Sequence, residues 1–210
     1  MKSLFHLFFL GIICSNLVFS QTDSIKIEDQ SPPLSYEVIA YGGGALPYLP
    51  TYFKDNWRSA WSAGIGYGIS LPPGELGYIT LYQTIDYSKM KFQQSSSYDG
   101  NYLNNGAVHI TNIMVNLKGN IYLRVLKMEP YFLFGVGAMN YISSGVNIDE
   151  QGGTTVKNRH QLAFAWTFGL GIEVPINQRI GAFVEGKSVV GVVDPAKQIF
   201  PVHAGIHLRF

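Results

Sequence analysis

The chain has 210 residues, of which 15 are basic, 14 are acidic and one is cysteine. This length indicates a single domain. A net charge of +1 excludes the broad basic surface that nucleic-acid binding uses, and one cysteine excludes a disulfide framework or a paired-cysteine zinc site. Only 14% of the residues are charged, against about 25% in an average soluble domain. Glycine, with 23 residues, and Phe and Tyr, with 13 each, are abundant instead.

Residues 1–20 are typical of a secretory signal peptide. Residues 4–14 form its apolar region, which is too short for a membrane-spanning helix of roughly 20 residues. Cleavage after Ser20 fits the small residues there. The alternative is a lipoprotein signal with Cys14 as the lipidated residue, which Ile13 before the cysteine fits poorly. We therefore expect ordinary cleavage and export.

Residues 161–174 alternate strictly between large apolar side chains and small or polar ones. Such a period of two over fourteen residues predicts a β-strand, because a helix repeats every 3.6 residues. The same alternation recurs clearly in four segments and more weakly in three: 60–71, 112–124, 131–141 and 200–210, then 35–45, 77–92 and 179–188. The sequence therefore predicts eight strands.

The predicted strands are joined alternately by short turns and long polar segments. The turns are residues 72–75, 126–129 and 175–178, and the long segments are residues 46–59, 93–107, 143–160 and 189–198. This alternation, with an even strand number, is typical of an up-and-down outer-membrane barrel. We predict an all-β fold, an eight-stranded antiparallel up-and-down transmembrane β-barrel over residues 35–210. It would carry four external loops and follow a periplasmic lead-in at residues 21–34.

The two faces of each strand indicate which side meets lipid. An eight-stranded barrel has an interior only just wide enough for side chains, so small residues such as Gly64 and Gly169 should face inward. The large apolar residues would then face outward, which is favourable only in lipid. Trp61, Tyr67 and Trp166 lie on this outward face and would suit interfacial aromatic girdles.

The last strand carries a further signal at its end. Ile206, Leu208 and Phe210 alternate on the outward face, and a terminal aromatic residue on such a strand resembles the signal recognised by the bacterial barrel-assembly machinery. With its signal peptide and eight strands, the mature chain resembles the small outer-membrane β-barrel proteins of Gram-negative bacteria, of the OmpA, OmpX and OmpW type. The resemblance implies a monomer in contact with outer-membrane lipid. We expect no peptidoglycan-binding domain after Phe210.

Charged residues within the strands share the inward face. We predict a polar network in the lumen that contains Lys118, Arg124, Glu173, Glu185, Lys187, His203, His207 and Arg209. Strand positions predict Lys118, Glu185 and His203 near mid-membrane, with Glu185 and His203 close enough to pair directly. Because buried charges must be paired, the network should plug the barrel. A gated polar path for ions or small solutes is the alternative.

No catalytic constellation is evident in the sequence. Outer-membrane lipid A deacylases carry a His-x-Ser pair, which none of His109, His203 and His207 forms. No cluster of His, Asp and Glu has metal-ligand spacing. We therefore expect a protein that is not an enzyme and that holds no metal and no cofactor.

The long external loops are the remaining candidates for function, because loops on rigid scaffolds often bind partners. Residues 95–106 are rich in Ser, Asn, Tyr and Gly, which suits an extracellular ligand such as carbohydrate or protein, although a hydrophilic spacer would have this composition too. We expect a structural or surface-interaction role in the outer membrane, in envelope integrity, adhesion or recognition. The alternatives are a narrow channel or carrier for small or hydrophobic solutes, as an OmpW-like resemblance implies, and, ranked last, a loop-based enzyme.

Overall fold

The computed structural model describes residues 34–72, 74, 76–92, 106–123, 128–144, 147–148, 154–155, 159–193 and 195–210. The predicted signal peptide, all but the last residue of the predicted lead-in, and Arg124 lie outside the described residues. So do most of the segments 93–107 and 143–160. The features predicted for these parts therefore stay predictions.

Eight long antiparallel strands close into a barrel, joined in the order β1-β10-β9-β8-β5-β4-β3-β2. In chain order the elements are β1 (Ser35–Leu49), α1 (Thr51–Asn56), β2 (Trp57–Ser70), β3 (Gly77–Phe92), β4 (Ala107–Ile121), β5 (Glu129–Ser144), β6 (Asn147–Ile148), β7 (Thr154–Thr155), β8 (Arg159–Pro175), β9 (Ile180–Val192) and β10 (Lys197–Arg209). The short β6 and β7 form a separate two-stranded sheet. The predicted eight-stranded antiparallel barrel is confirmed.

The first and last strands close the barrel wall. β1 and β10 pair in register from Glu37 opposite Arg209 to Pro47 opposite Ile199. Beyond the end of β10, the backbones of Tyr36 and Phe210 exchange two hydrogen bonds of 2.8 and 3.2 Å. Closure lets the backbone groups of β1 and β10 hydrogen-bond to each other. This is required in a membrane, because lipid offers no hydrogen-bond partners to an open sheet edge.

Two of the four predicted long loops are wrong. β1 continues to Leu49 and β2 begins at Trp57, so only one helical turn, α1, joins them. Likewise only residues 193–196 separate β9 from β10. These strands extend beyond the segments whose side chains alternate. Each further residue pair forms backbone N–H to C=O hydrogen bonds, and these do not depend on the side chains. These two connections lie at what we call the loop end, together with the ends of β3 at Phe92, β4 at Ala107, β5 at Ser144 and β8 at Arg159. The opposite end is the turn end.

The outer wall is apolar, as the alternation predicted. On β8 the outward residues are between 38% and 60% exposed: Leu162, Phe164, Trp166, Phe168, Leu170, Ile172 and Val174. The residues between them, such as Ala165 and Thr167, are buried in the lumen. A continuous exposed apolar band is the surface that a transmembrane barrel presents to lipid. Among the described residues, no helix is both long and apolar enough to span a membrane.

Not all aromatic side chains face lipid, although the sequence analysis predicted the large apolar residues on the outward face. Among the described residues, five tyrosines are buried inside the barrel: Tyr41, Tyr78, Tyr82, Tyr131 and Tyr141. Inward glycines make room for them, since a Cβ atom on Gly64 would lie 2.5–2.7 Å from the ring of Tyr41. A Cβ atom on Gly68 would lie equally close to Tyr82. Glycine and tyrosine therefore fill the narrow lumen together.

Candidate functional site

Charged side chains fill the lumen near the turn end in what we call the turn-end network, formed by Glu37, Lys118, Glu173, His207 and Arg209. Glu37, Glu173 and His207 are at most 3% exposed. Lys118 Nζ lies 2.7 Å from Glu173 Oε2. His207 Nδ1 lies 2.6 Å from Glu37 Oε1, and its Nε2 lies 3.1 Å from Glu173 Oε1. Four strands, β1, β4, β8 and β10, supply these groups, so the contacts connect distant parts of the wall.

Glu173 is the centre of the turn-end network. Its carboxylate accepts hydrogen bonds from Lys118, from Asn120 at 3.3 Å and from Arg209 at 3.2 Å. The hydroxyl of Tyr78 also lies 3.2 Å from it and accepts a 2.7 Å hydrogen bond from Arg209. A buried carboxylate is tolerated only with such partners, because leaving water is costly for a charge.

A second group, the mid-barrel network, consists of Asp86, Glu185 and Lys187 with Tyr41 and Tyr131. Lys187 Nζ lies 3.0 Å from Asp86 Oδ1 and 3.5 Å from Glu185 Oε1. The Tyr41 hydroxyl donates to Asp86 at 2.5 Å, and the Tyr131 hydroxyl donates to Glu185 at 3.1 Å. Each carboxylate therefore has both a cation and a phenol as partners.

The two networks are close neighbours in the lumen. The ring of Tyr131 lies under Lys118 of the turn-end network, with 4.8 Å between Nζ and the ring centroid, while its hydroxyl reaches Glu185. A cavity of about 20 Å³ lies between the networks and is lined in part by Tyr82, Asn116 and Lys187. That volume holds about one water molecule, which Asn116 Oδ1, buried without a partner, could bind.

An apolar plug closes the loop end of the lumen. It is a cluster of buried residues that includes Phe53, Trp57, Met90, Val108, Ile110, Met114, Met139, Tyr141, Val189 and Ile199. Phe53 comes from α1 and is fully buried, so this helical turn folds its side chain into the barrel mouth. The lumen thus changes from charged at the turn end to mainly apolar at the loop end, where the buried Lys197 lies over the rings of Phe53 and Tyr141.

The structure places the predicted lumen residues inside the barrel, apart from Arg124, which lies outside the described residues, but it groups them differently from the prediction. Lys118 contacts Glu173 and Glu37 in the turn-end network and is not grouped with Glu185 and His203. The predicted direct pair of Glu185 and His203 is wrong, although the two are register neighbours. His203 Nε2 instead lies 2.9 Å from Ser62 Oγ, and its Nδ1 has no partner.

Sequence reasoning missed two lumen carboxylates, Glu37 and Asp86. Both lie on strands with weak alternation, where three consecutive glycines interrupt β1 and polar residues occupy both faces of β3. The signal that could have found them is their charge, because the rule that charged strand residues face the lumen applies to Glu37 and Asp86 as well. With them, the lumen carboxylates Glu37, Asp86, Glu173 and Glu185 face the cations Lys118, Lys187 and Arg209, while Lys197 is buried nearer the loop end.

Glu37, Glu173 and His207 come close enough to resemble a metal site. Their ligand atoms all lie within 4.8 Å of one another, and all three residues are buried. However, Lys118 Nζ at 2.7 Å and Arg209 Nη2 at 3.2 Å already contact the Glu173 oxygens that would bind an ion. These cations would repel a divalent ion, so the donor set fits an ion-pair network better than a metal site.

The predicted assembly residues lie on the outer wall. Ile206, Leu208 and Phe210 are 52%, 38% and 72% exposed, respectively. They contribute nothing to the lumen, and whether the assembly machinery reads them stays a prediction.

This chain is similar in fold to several solved structures. No protein-family model matches the chain, and no curated protein matches its sequence. Neisserial surface protein A aligns with 12% identity and a TM-score of 0.50, over 84% of this chain and 97% of that one. Ail, the attachment invasion locus protein of Yersinia pestis, solved with the heparin analogue sucrose octasulfate, aligns with 12% identity and a TM-score of 0.51, over 84% and 98%. The chain therefore has the fold of the small eight-stranded outer-membrane β-barrels.

Proposed function

We propose that this protein is a sealed barrel of the outer membrane that serves as an envelope scaffold and acts through its loop-end surface. The observation that carries the proposal is the filled lumen. Two cross-linked charge networks lie below an apolar plug, and the cavity between the networks holds about one water molecule. A solute would have to break buried ion pairs to pass, which costs several kcal/mol for each pair.

Proteoliposomes test the sealed lumen. Vesicles that contain the refolded barrel should swell in isosmotic arabinose no faster than vesicles without protein, because the networks leave no path for a sugar. Vesicles with a known porin provide the positive control. A swelling rate that rises with the amount of barrel protein would instead support the alternative function, a channel or carrier for small solutes.

The surface role is supported by the loop end and by the neighbours' names. Ail is named an attachment and invasion protein, and the Neisserial neighbour a surface protein. In this chain, residues 93–105 contain one aspartate and no basic residue, together with two tyrosines and many serines and asparagines. Uncharged polar and aromatic groups suit neutral carbohydrate or protein better than a sulfated ligand.

A loop exchange tests this surface role. Replacing residues 94–104 with a Gly-Ser linker of equal length should abolish binding to neutral glycans on a printed array and leave heat-modifiable gel migration unchanged. Equal glycan binding by both proteins, or binding by neither, would contradict recognition through this segment. An equal exchange of residues 145–153 serves as the matched control.

We also propose that the barrel-assembly machinery reads Ile206, Leu208 and Phe210. Phe210→Ala should reduce the folded fraction in cells severalfold, because the machinery would lose its terminal aromatic contact. Refolding in detergent should change little, since this side chain is 72% exposed and lies outside the lumen. Val202→Ala, an outward change higher on the same strand, is the control. Equal folded fractions for the two variants in cells would contradict the proposal.

A further inference from the structure

Charged residues on the outer wall are confined to one corner of the barrel. In the strands as far as the structure describes them, the charged side chains that face outward are Arg58, Lys89 and Lys91. All three are basic, and all lie at the loop end of the adjacent strands β2 and β3. The remaining wall is mostly apolar, so this corner differs chemically from the surface around it.

These basic groups lie next to one another without a carboxylate on the wall. Arg58 is the direct register partner of Lys91, and Trp61 is the partner of Lys89. Like charges directly opposite each other destabilise a sheet. The wall residues that the structure describes supply no acidic group to offset this repulsion. An anion bound from outside the protein would offset it.

Aromatic rings mark the depth of this corner in the membrane. Trp61 and Tyr87 face outward, with ring centroids 5.0 Å apart, and the Tyr87 hydroxyl hydrogen-bonds His109 Nδ1. Outward Trp and Tyr residues lie at the level of lipid headgroups. Lys89 and Lys91 follow Tyr87 toward the loop end by two and four residues, roughly 7 and 13 Å along the strand. They therefore reach the phosphate level of the outer leaflet.

We propose that Arg58, Lys89 and Lys91 bind the phosphorylated headgroup of an outer-leaflet lipid. The phosphates would contact the three basic groups, and the acyl chains would lie along the apolar wall below Trp61. A lipid fits better than a soluble anion, because the basic groups lie on the wall directly above an apolar band. This site is separate from the lumen and from the loop surface proposed above.

Native mass spectrometry of the refolded barrel in detergent tests the site, with bisphosphorylated lipid A and chemically dephosphorylated lipid A as probes. The wild type should bind the phosphorylated probe at least tenfold more tightly. Each of R58Q, K89Q and K91Q should weaken that binding about fivefold, because one basic group near an anionic surface contributes roughly 1 kcal/mol. The triple variant should lose on the order of 100-fold. Binding of the dephosphorylated probe should not change.

The matched control is R179Q, which removes one exposed arginine at the turn end. Its affinity for phosphorylated lipid A should equal that of the wild type. Heat-modifiable migration verifies folding of every variant, and the single variants decide the question if the triple variant fails to fold. Equal binding of the two probes by the wild type would overturn the proposal. So would equal losses in K91Q and R179Q.

Discussion

Replacing Glu173 with glutamine should lower the free energy of unfolding of the barrel by about 3–5 kcal/mol, the cost of removing one partner from a buried ion pair. The substitution keeps the size of the side chain but leaves Lys118, Arg209 and His207 with a single carboxylate, Glu37. Urea titration in lipid vesicles, followed by the fluorescence of the wall residues Trp61 and Trp166, measures the change.

Glu129 offers a matched control for this prediction. It is the direct register partner of Glu173 on the next strand, but it is only partly buried and contacts the Tyr78 hydroxyl at 3.1 Å. Glu129→Gln should therefore cost less than about 1 kcal/mol. In the double variant K118Q/E173Q the loss should be smaller than the sum of the single losses, because the ion pair between Lys118 and Glu173 is counted in both single losses. Equal losses for E129Q and E173Q would contradict the assigned role of Glu173.

Gly43→Ala should destabilise the barrel by about 3 kcal/mol, the upper end of the usual range for overpacking. A Cβ atom at Gly43 would overlap the backbone oxygen of Val202 and lie 3.1 Å from the Cα of His203. These are backbone atoms of β10, so the paired strands β1 and β10, which close the barrel, would have to move apart. The heat-modifiable fraction after refolding and the urea midpoint both report this loss.

The neighbouring residue, Gly42, provides the control for Gly43→Ala. A Cβ atom at Gly42 would meet only the backbone oxygen of Ser62, at an ordinary 3.7 Å. Gly42→Ala should therefore leave the refolded fraction and the urea midpoint nearly unchanged. Equal refolding of Gly42→Ala and Gly43→Ala would contradict the close approach of β1 and β10 at Gly43.

The strands and their faces could be predicted because lipid imposes a period of two on the outer wall. On β8 the seven large residues at positions 162 to 174 all face outward, as the alternation indicated. The prediction was weaker on β1 and β3. There glycines and polar residues obscure the period, and the lumen residues Glu37 and Asp86 were therefore missed.

The partners within the lumen could not be predicted from the sequence. Lys118 on β4 contacts Glu173 on β8, and Lys187 on β9 contacts Asp86 on β3. Neither pair joins adjacent strands, and their meeting depends on the tilt and stagger of the closed barrel. Alternation determines which face a residue lies on, but not how far the strands slide past each other. The predicted pair of Glu185 and His203 was wrong for a different reason: the two are register neighbours, but Glu185 contacts Lys187 and Tyr131 while His203 contacts Ser62.

Planar-bilayer recording tests the sealed lumen most directly. The purified barrel, verified as folded by heat-modifiable migration, should give no reproducible current steps above those of the bilayer alone in 1 M KCl. The buried networks around Glu173 and Asp86 and the apolar plug at Phe53 predict this result, because an ion has no continuous polar path. Steps that appear with the wild type and disappear with K118M or E185Q would contradict it and would assign the conduction path to the lumen.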